Sequence, residues 1–474
     1  PVWGLADPGE QVTVTLDTGK TSVSATATAD KNGRWLLALP RQPAVATPCT
    51  LTVRATNQIT LQNLLIGEVW LCGGQSNMEW FVRNAGNPDA EIAAAHHPLI
   101  RHIKIKRDFS QASPVPRLTT LVDNDGWTVC SPQTVANYTA TGYYFAREIQ
   151  RELNVPVGLV NNAWGGTRVE TWIPRAAAEA DPKFRFALDA CEENVRKLPE
   201  LQARYEKQKA KYDAARAAAK KEGRPFTQKA PKPPAAHQFL SRLYNGMVHP
   251  LLPFAARGVI WYQGEANARD HAHYRDLFHL LINSWRKAYQ QDLSFYWVQL
   301  ASYKAGDSAG LNYAFLREAQ DQTLDLPKTG QALAIDIGEE DNIHPKNKQE
   351  VGRRLALLAL KNDYGRASLN TSGPRFAKMS VNGSVARVEL SNASGLHTRG
   401  DAPAGALEIA GSDKTFHPAS ATIDGSALLV SSPAVSKPVA VRHAFRNYPK
   451  PEVNLVNADN LPLAPFRTDD WPAD

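Results

Sequence analysis

From Val2 to about Leu65 short runs of β-branched and aliphatic residues (Gln11-Val-Thr-Val-Thr-Leu, Ser22 to Ala29, Trp35 to Leu39, Leu51-Thr-Val-Arg) alternate with turn signals such as Asp17-Thr-Gly and Lys31-Asn-Gly. Spacing of about ten residues between such runs predicts a small antiparallel β-sandwich. From about 66 to 365 the pattern changes. Apolar, strand-like runs at Glu68–Cys72, Val157–Asn161, Gly258–Tyr262, Ser294–Leu300 and Ala332–Ile337 alternate with amphipathic segments. Strands apolar on both faces lie inside a sheet covered by helices on either side, so this stretch predicts a parallel α/β sheet. Helices are expected at Gly142–Leu153, Tyr274–Tyr289 and Lys348–Leu360, with Leu277, Leu281 and Trp285, or Val351, Leu355 and Leu358, on one face. Within this region residues 176–234, rich in Ala, Lys, Arg and Glu and closing on Pro231-Lys-Pro-Pro, read as two charged helices projecting as an insertion. Alternation typical of strands returns over 366–474, at Ser380-Val-Asn-Gly, Ala386–Leu390 and Ala427–Ser431, and predicts a second β domain. The expected organisation is thus an N-terminal β domain (1–65), an α/β domain (66–365) carrying the insertion, and a C-terminal β domain (366–474).

A chain of 474 residues accommodates about three domains, and 43% apolar with 21% charged residues is an ordinary globular composition. The longest apolar runs, such as Leu355 to Leu360, fall far short of a membrane-spanning helix. The net charge of +7 is local. Between Arg196 and Lys232 there are twelve Lys or Arg against four acids, so the remainder is near neutral and no broad basic face for nucleic acid is expected. Cys49, Cys72, Cys130 and Cys191 lack the spacing of a zinc site and are read either as buried thiols or as forming at least one disulfide. The chain starts at Pro1 without a basic and apolar leader, which reads as a processed or truncated end.

Open α/β sheets bind ligands beyond the carboxyl ends of their strands. Four strand ends here carry polar clusters: Gly73-Gly-Gln-Ser76-Asn-Met-Glu, Ala163-Trp-Gly165-Gly166-Thr-Arg, Gln263-Gly-Glu265 and Asp341-Asn-Ile-His344-Pro. Together they supply the parts of acyl transfer, namely a nucleophile, a base with an orienting group, and amide donors for an oxyanion. A serine hydroxyl needs a base to take its proton, and imidazole is a good base near neutrality, so Ser76 requires His344. The Asp341-x-x-His344 spacing allows one loop to hold a carboxylate near the far nitrogen of the same ring. Taken singly each feature has an ordinary structural explanation: Ser76 as a helix cap, His344 as a loop closure, Trp164-Gly-Gly-Thr as a turn, Gln263 and Glu265 as supporting residues. Their convergence on four strand ends favours a site. The Gly-x-Ser-x-Gly elbow is absent, because Gly74-Gln-Ser76-Asn-Met78 lacks the second glycine.

The segments Gly74-Gln-Ser-Asn-Met, Trp164-Gly-Gly-Thr-Arg-Val-Glu-Thr-Trp, Tyr244-Asn-Gly-Met, Trp261-Tyr-Gln-Gly-Glu-Ala-Asn and Asp341-x-x-His-Pro resemble the sialate O-acetylesterase-type carbohydrate esterases of the SGNH hydrolase superfamily. Gly67-Glu-Val-Trp-Leu-Cys and Pro465-Phe-Arg-Thr-Asp-Asp-Trp extend the likeness over most of the chain. The resemblance implies a flavodoxin-like catalytic domain, no metal or other cofactor, and removal of O-acetyl groups from sugars through an acetyl-enzyme. Carried onto the matching positions, it makes Ser76 the nucleophile, His344 the base and Asp341 its orienter. The Ser76, Gly165 and Gly166 amides and the Gln263 side chain would form the oxyanion hole. Asn77, Trp164, Arg168 and Glu265, which adjoin them, are the candidates for holding the sugar. Gly-Gln-Ser-Asn in place of Gly-Asp-Ser, and Gln263 where a catalytic Asn is usual, depart from the superfamily pattern and match its carbohydrate-acetylesterase branch.

The expected partner is an acetylated carbohydrate, with no nucleic acid or membrane partner and an open oligomeric state. The flat faces of Trp164, Trp172, Trp261 and Tyr262 favour a neutral plant cell-wall oligosaccharide such as xyloglucan, met by a secreted or periplasmic enzyme. A sialate would need an Arg for its carboxylate; Arg168 and Arg269 could serve, yet each lies beside an acid, Glu170 and Asp270. A catalytically silent carbohydrate-binding protein is a further alternative, and a thioesterase or lipase, which would need a long apolar acyl channel, is a third that the polar and aromatic loops near the motifs disfavour.

Overall fold

The computed structural model describes residues 1–109, 113–114 and 126–472. Its centre is a seven-stranded sheet of β1 (Glu68–Gly74), β2 (His97–Lys104), β3 (Thr128–Cys130), β4 (Val157–Ala163), β5 (Gly258–Tyr262), β6 (Ser294–Val298) and β7 (Thr329–Ala332), in the spatial order β7-β6-β5-β1-β4-β2-β3. All neighbours run parallel except β3, which is antiparallel to β2. Every residue of β5 and β6 is buried, which is why these strands read as unbroken apolar runs. Among its helices are α1 (Ser76–Glu79), α2 (Ala140–Leu153), α3 (Arg185–Lys221), α4 (His271–Tyr289), α5 (Asn312–Gln322) and α6 (Lys348–Asn362). Two pairs pack closely, α2 with α6 and α4 with α5.

The order reverses at β1: the chain builds outward through β2 to β4 on one side of it, then returns to build β5 to β7 on the other. Such a reversal splays the connections apart and leaves a crevice at the carboxyl end of the central strand. Ser76 lies just beyond β1, after Gln75. Gly74, the last residue of that strand, has φ +127°, and a Cβ there would sit 2.2 Å from the Tyr262 carbonyl oxygen on β5. Only glycine allows the chain to leave the sheet so close to its neighbour.

Two expectations are corrected. The strand anticipated at Ala332–Ile337 is instead Thr329–Ala332. Leu333 to Ile335 are buried without strand pairing, so the apolar run there reports burial and not a ladder. The insertion contains one helix of 37 residues, α3, and no second long helix. Gly223, with φ +67°, ends the turn after α3, and Pro225, Pro231, Pro233 and Pro234 withhold the N–H groups that another helix would need. Most of α3 is exposed and laced by i,i+4 pairs such as Lys209–Asp213, as its charge pattern requires.

The N-terminal strands form a four-stranded antiparallel sheet and a separate antiparallel pair, Val2–Leu5 with Arg34–Leu37, around Val12, Val14, Trp35 and Leu51. The C-terminal region forms two four-stranded antiparallel sheets around Val388, Ile409, Leu428 and Val441. It is fastened to the α/β unit by Arg317 of α5. This fully buried guanidinium donates to the carbonyls of Leu300 and Ala301 on one side and of Arg446 and Asn447 on the other. All four cysteines are buried free thiols.

Candidate active site

The Ser76 hydroxyl lies 2.8 Å from Nε2 of His344, across 268 residues of sequence. Ser76 is the first residue of α1, one residue beyond the end of β1, and His344 sits in the loop before α6. The indole of Trp80, one turn beyond Ser76, stacks on the imidazole with centroids 4.5 Å apart and planes 17° from parallel, which fixes the ring's orientation. Burial, assisted by the Lys348 ammonium, lowers the His344 pKa and keeps the ring neutral. A neutral imidazole at hydrogen-bond distance can take the serine proton as the oxygen attacks an acyl carbon.

Asp341 does not complete a triad here. It is exposed, and among the described residues no hydrogen bond joins it to His344; its charge acts instead on Tyr448 and Lys450. The loop is held by its neighbour Asn342, whose Oδ1 accepts from the His344 backbone N–H (3.0 Å) and whose amide donates to the His344 carbonyl and to Glu339. The Asp-x-x-His spacing puts Asp341 on the same loop as His344, but its side chain is exposed to solvent.

The oxyanion candidates divide. The N–H groups of Ser76 and Gly166 have no acceptor among the described residues. That of Gly165 is already given to Glu79 Oε2 at 2.8 Å. Burial raises the Glu79 carboxyl, but Lys104 and Arg107 outweigh it and hold the group below the usual carboxylate range. Glu79 thereby ties the Gly165 turn against the nucleophile: a Cβ on Gly165 would lie 3.2 Å from that of Ser76. Gln263 is fully buried, and its amide nitrogen donates to the Thr167 carbonyl (3.1 Å) and to Asn267 Oδ1 (2.7 Å), while its oxygen accepts from Tyr274 (2.9 Å). With both protons committed it braces the turn from below and does not face an oxyanion.

The sugar candidates fare similarly. Asn77 is 1% exposed. Its amide nitrogen donates to Glu265 Oε1 (2.5 Å) and to the Ile343 carbonyl (2.9 Å), and its oxygen accepts from Lys348 Nζ (2.5 Å). Asn77 and Glu265 are therefore internal supports. Arg168 is paired with both Glu170 (2.8 Å) and Asp270 (2.6 Å). Of the four aromatic residues expected to offer flat faces, Trp172, Trp261 and Tyr262 are fully buried in the core. Trp164 remains partly exposed, stacked with His237 and approached by Arg107 at 5.1 Å.

Lys348, Trp80 and Glu79 escaped the sequence reading. One signal was available: Lys348 opens α6, where a cation opposes the helix dipole, so its presence calls for a local partner.

A parallel sheet with a Ser–His pair at its switch point is the framework of a serine ester hydrolase, and comparison with known proteins agrees. Residues 66–204 and 232–361 match the carbohydrate esterase family described as sialic acid-specific acetylesterase, and the chain belongs to that family. It is 31% identical over 430 residues to the sialate O-acetylesterase of Rattus norvegicus, covering 82% of this chain and 74% of that protein, and 30% identical over 424 residues to that of Mus musculus, covering 79% and 72%. Among solved structures, a carbohydrate acetylesterase from Xanthomonas citri superimposes with a TM-score of 0.82 at 36% identity, covering 99% of this chain and 95% of that one. The protein is a carboxylic ester hydrolase of the carbohydrate-acetylesterase kind.

Proposed function

We propose that the protein removes O-acetyl groups from a carbohydrate by way of an acetyl-Ser76 intermediate. The observation that carries this is the 2.8 Å contact between the Ser76 hydroxyl and His344 Nε2 at the sheet's switch point. His344 takes the Ser76 proton as Oγ bonds to the acetyl carbon, and the carbonyl oxygen becomes an oxyanion facing the backbone N–H groups of Ser76 and Gly166. The C–O bond to the sugar then breaks, His344 passes the proton to the departing sugar oxygen, and water, activated by the same ring, releases acetate. Asn77, held by Lys348 and Glu265, and the stacked Trp80 take the positioning part that a triad carboxylate would play. The test is acetate release on incubation with acetylated glycans, together with labelling of Ser76 by a fluorophosphonate. No acetate from any of them, or labelling at another serine, overturns the reading.

For the sugar itself we propose a neutral, acetylated plant cell-wall oligosaccharide such as a xyloglucan fragment, met outside the cytoplasm. Arg168, which follows the Gly165–Gly166 turn, is already neutralised by Glu170 and Asp270, so it does not present an unpaired guanidinium to a substrate carboxylate. The family description and the rodent relatives favour an O-acetyl sialic acid as the second reading. Mass spectrometry of both substrates decides between them: acetyl loss from the sialate alone would refute the first.

A further inference from the structure

Behind the nucleophile, on the side away from solvent, lies a chain of polar groups that proton transfer itself does not employ. Lys348 is fully buried, and its Nζ donates to Asn77 Oδ1 at 2.5 Å and stands 5.1 Å from the centre of the Tyr262 ring. Asn77 in turn donates to one oxygen of Glu265 and to the carbonyl of Ile343. The second Glu265 oxygen is buried without a hydrogen-bond partner among the described residues. Asn77 adjoins the nucleophile and Ile343 adjoins the base, so this one side chain joins the two catalytic loops, and Lys348 holds it from behind.

We propose that Lys348 is a positioning residue of the hydrolysis: its buried ammonium anchors Asn77, which bridges to the loop of the base, and so sets Ser76 against His344. The proposal rests on the reading of Ser76 and His344 as nucleophile and base. A buried ammonium is costly unless it is fully paired and hydrogen-bonded. Its surroundings only partly neutralise it: Glu265 lies beyond Asn77, Glu339 acts from the loop before α6, and the Tyr262 ring face contributes a weaker attraction. Burial brings the Lys348 pKa down to about 7 against the pull of those carboxylates, while burial raises that of Glu265. On its other sides His344 meets the neutral Ser76 hydroxyl and the Trp80 ring. Its own loop carries Glu339, which accepts from Asn342 and from the Lys346 N–H, and the outward-pointing Asp341. Lys348 is the cation that lowers the affinity of His344 for a proton, so removing it must raise that affinity and move the acid limb of activity to higher pH.

The test compares Lys348→Gln and Lys348→Met with the wild type on 4-nitrophenyl acetate, after thermal unfolding has shown which variants fold. Lys348→Gln removes the charge but keeps an N–H for Asn77; Lys348→Met removes both. The acid limb of kcat/KM should move up by about half a pH unit or more in both. The plateau kcat should fall about tenfold or more in Lys348→Met, where Asn77 is released, and less in Lys348→Gln. A folded variant whose acid limb coincides with that of the wild type overturns the proposal. Should neither variant fold, titration of His344 by NMR in the folded Ser76→Ala protein decides it: a second inflection of the His344 ring resonances as Lys348 loses its proton near pH 7 supports the coupling of the two side chains, and a single inflection refutes it. Because the NMR titration needs no turnover, failure of the esterase reading would show as wild-type protein inactive on acetyl esters, separately from either result.

Discussion

Replacing Gln263 with Ala separates two accounts of this residue that lead to opposite measurements. As an oxyanion donor, Gln263 would support the transition state alone, and its loss would lower kcat by about 10² to 10³ with the fold untouched. The structure places it elsewhere. Truncation breaks three buried hydrogen bonds, to the Thr167 carbonyl, to Asn267 and from Tyr274, each contributing about 1 kcal/mol. Two of the partners keep other contacts: Tyr274 also reaches the Gln263 backbone carbonyl, and Asn267 Oδ1 also accepts from the Val169 N–H. The full penalty of a stranded group is therefore confined to the Thr167 carbonyl, and the volume left in a fully buried position adds a cavity cost. The expected total is about 3 to 5 kcal/mol, which should lower the unfolding temperature of the α/β unit by roughly 5 to 10 °C. The assay is thermal unfolding alongside steady-state kinetics at a temperature where the variant is fully folded. There kcat should fall by about tenfold or less, since the Gly165–Gly166 turn loses one brace and no donor. An unchanged melting temperature with a hundredfold loss of kcat would refute this account and restore Gln263 to the oxyanion hole.

Ser76→Ala should abolish ester hydrolysis, by several orders of magnitude in kcat, with an unchanged melting temperature; appreciable residual turnover would exclude Ser76 as nucleophile. Asp341→Asn should change kcat/KM less than about tenfold, because the side chain is exposed and makes no bond to the base; a loss near 10⁴, as for an orienting carboxylate in a triad, would show that Asp341 swings onto His344 in the working enzyme. Burial and Lys348 lower the His344 pKa, so the neutral base persists below pH 6.5 and kcat/KM should fall only as the pH drops through that lowered value; an acid limb centred above pH 6.5 contradicts this. EDTA should leave the rate unchanged, and a loss that zinc or calcium restores would require a metal-dependent mechanism.

The pattern along the chain sufficed to place β1, β4, β5 and β6, because strands buried on both faces must be apolar throughout, and to place α2, α4 and α6, because one face of each is buried. It also singled out Ser76 and His344, since a strand that ends in Gly-Gly-Gln-Ser and a loop carrying Asp-x-x-His-Pro are local features with local causes. What it left undetermined was the direction of each polar side chain beyond the strand ends. Asp341 and Gln263 stand at the positions that spacing suggests, yet one turns to solvent and the other spends its amide inside. For Gln263 that choice depends on the Thr167 carbonyl, 96 residues away along the chain, acting together with its nearer neighbours Asn267 and Tyr274. The aromatic residues show the same division: Trp172, Trp261 and Tyr262 read equally well as sugar platforms or as core, and only the packing of helices over both faces of the sheet buried them. Lys348 is the extreme case. Nothing in its neighbourhood along the chain distinguishes it from an exposed lysine except its place at a helix start, and its burial against Asn77 follows from α6 packing beneath the loop that carries the nucleophile.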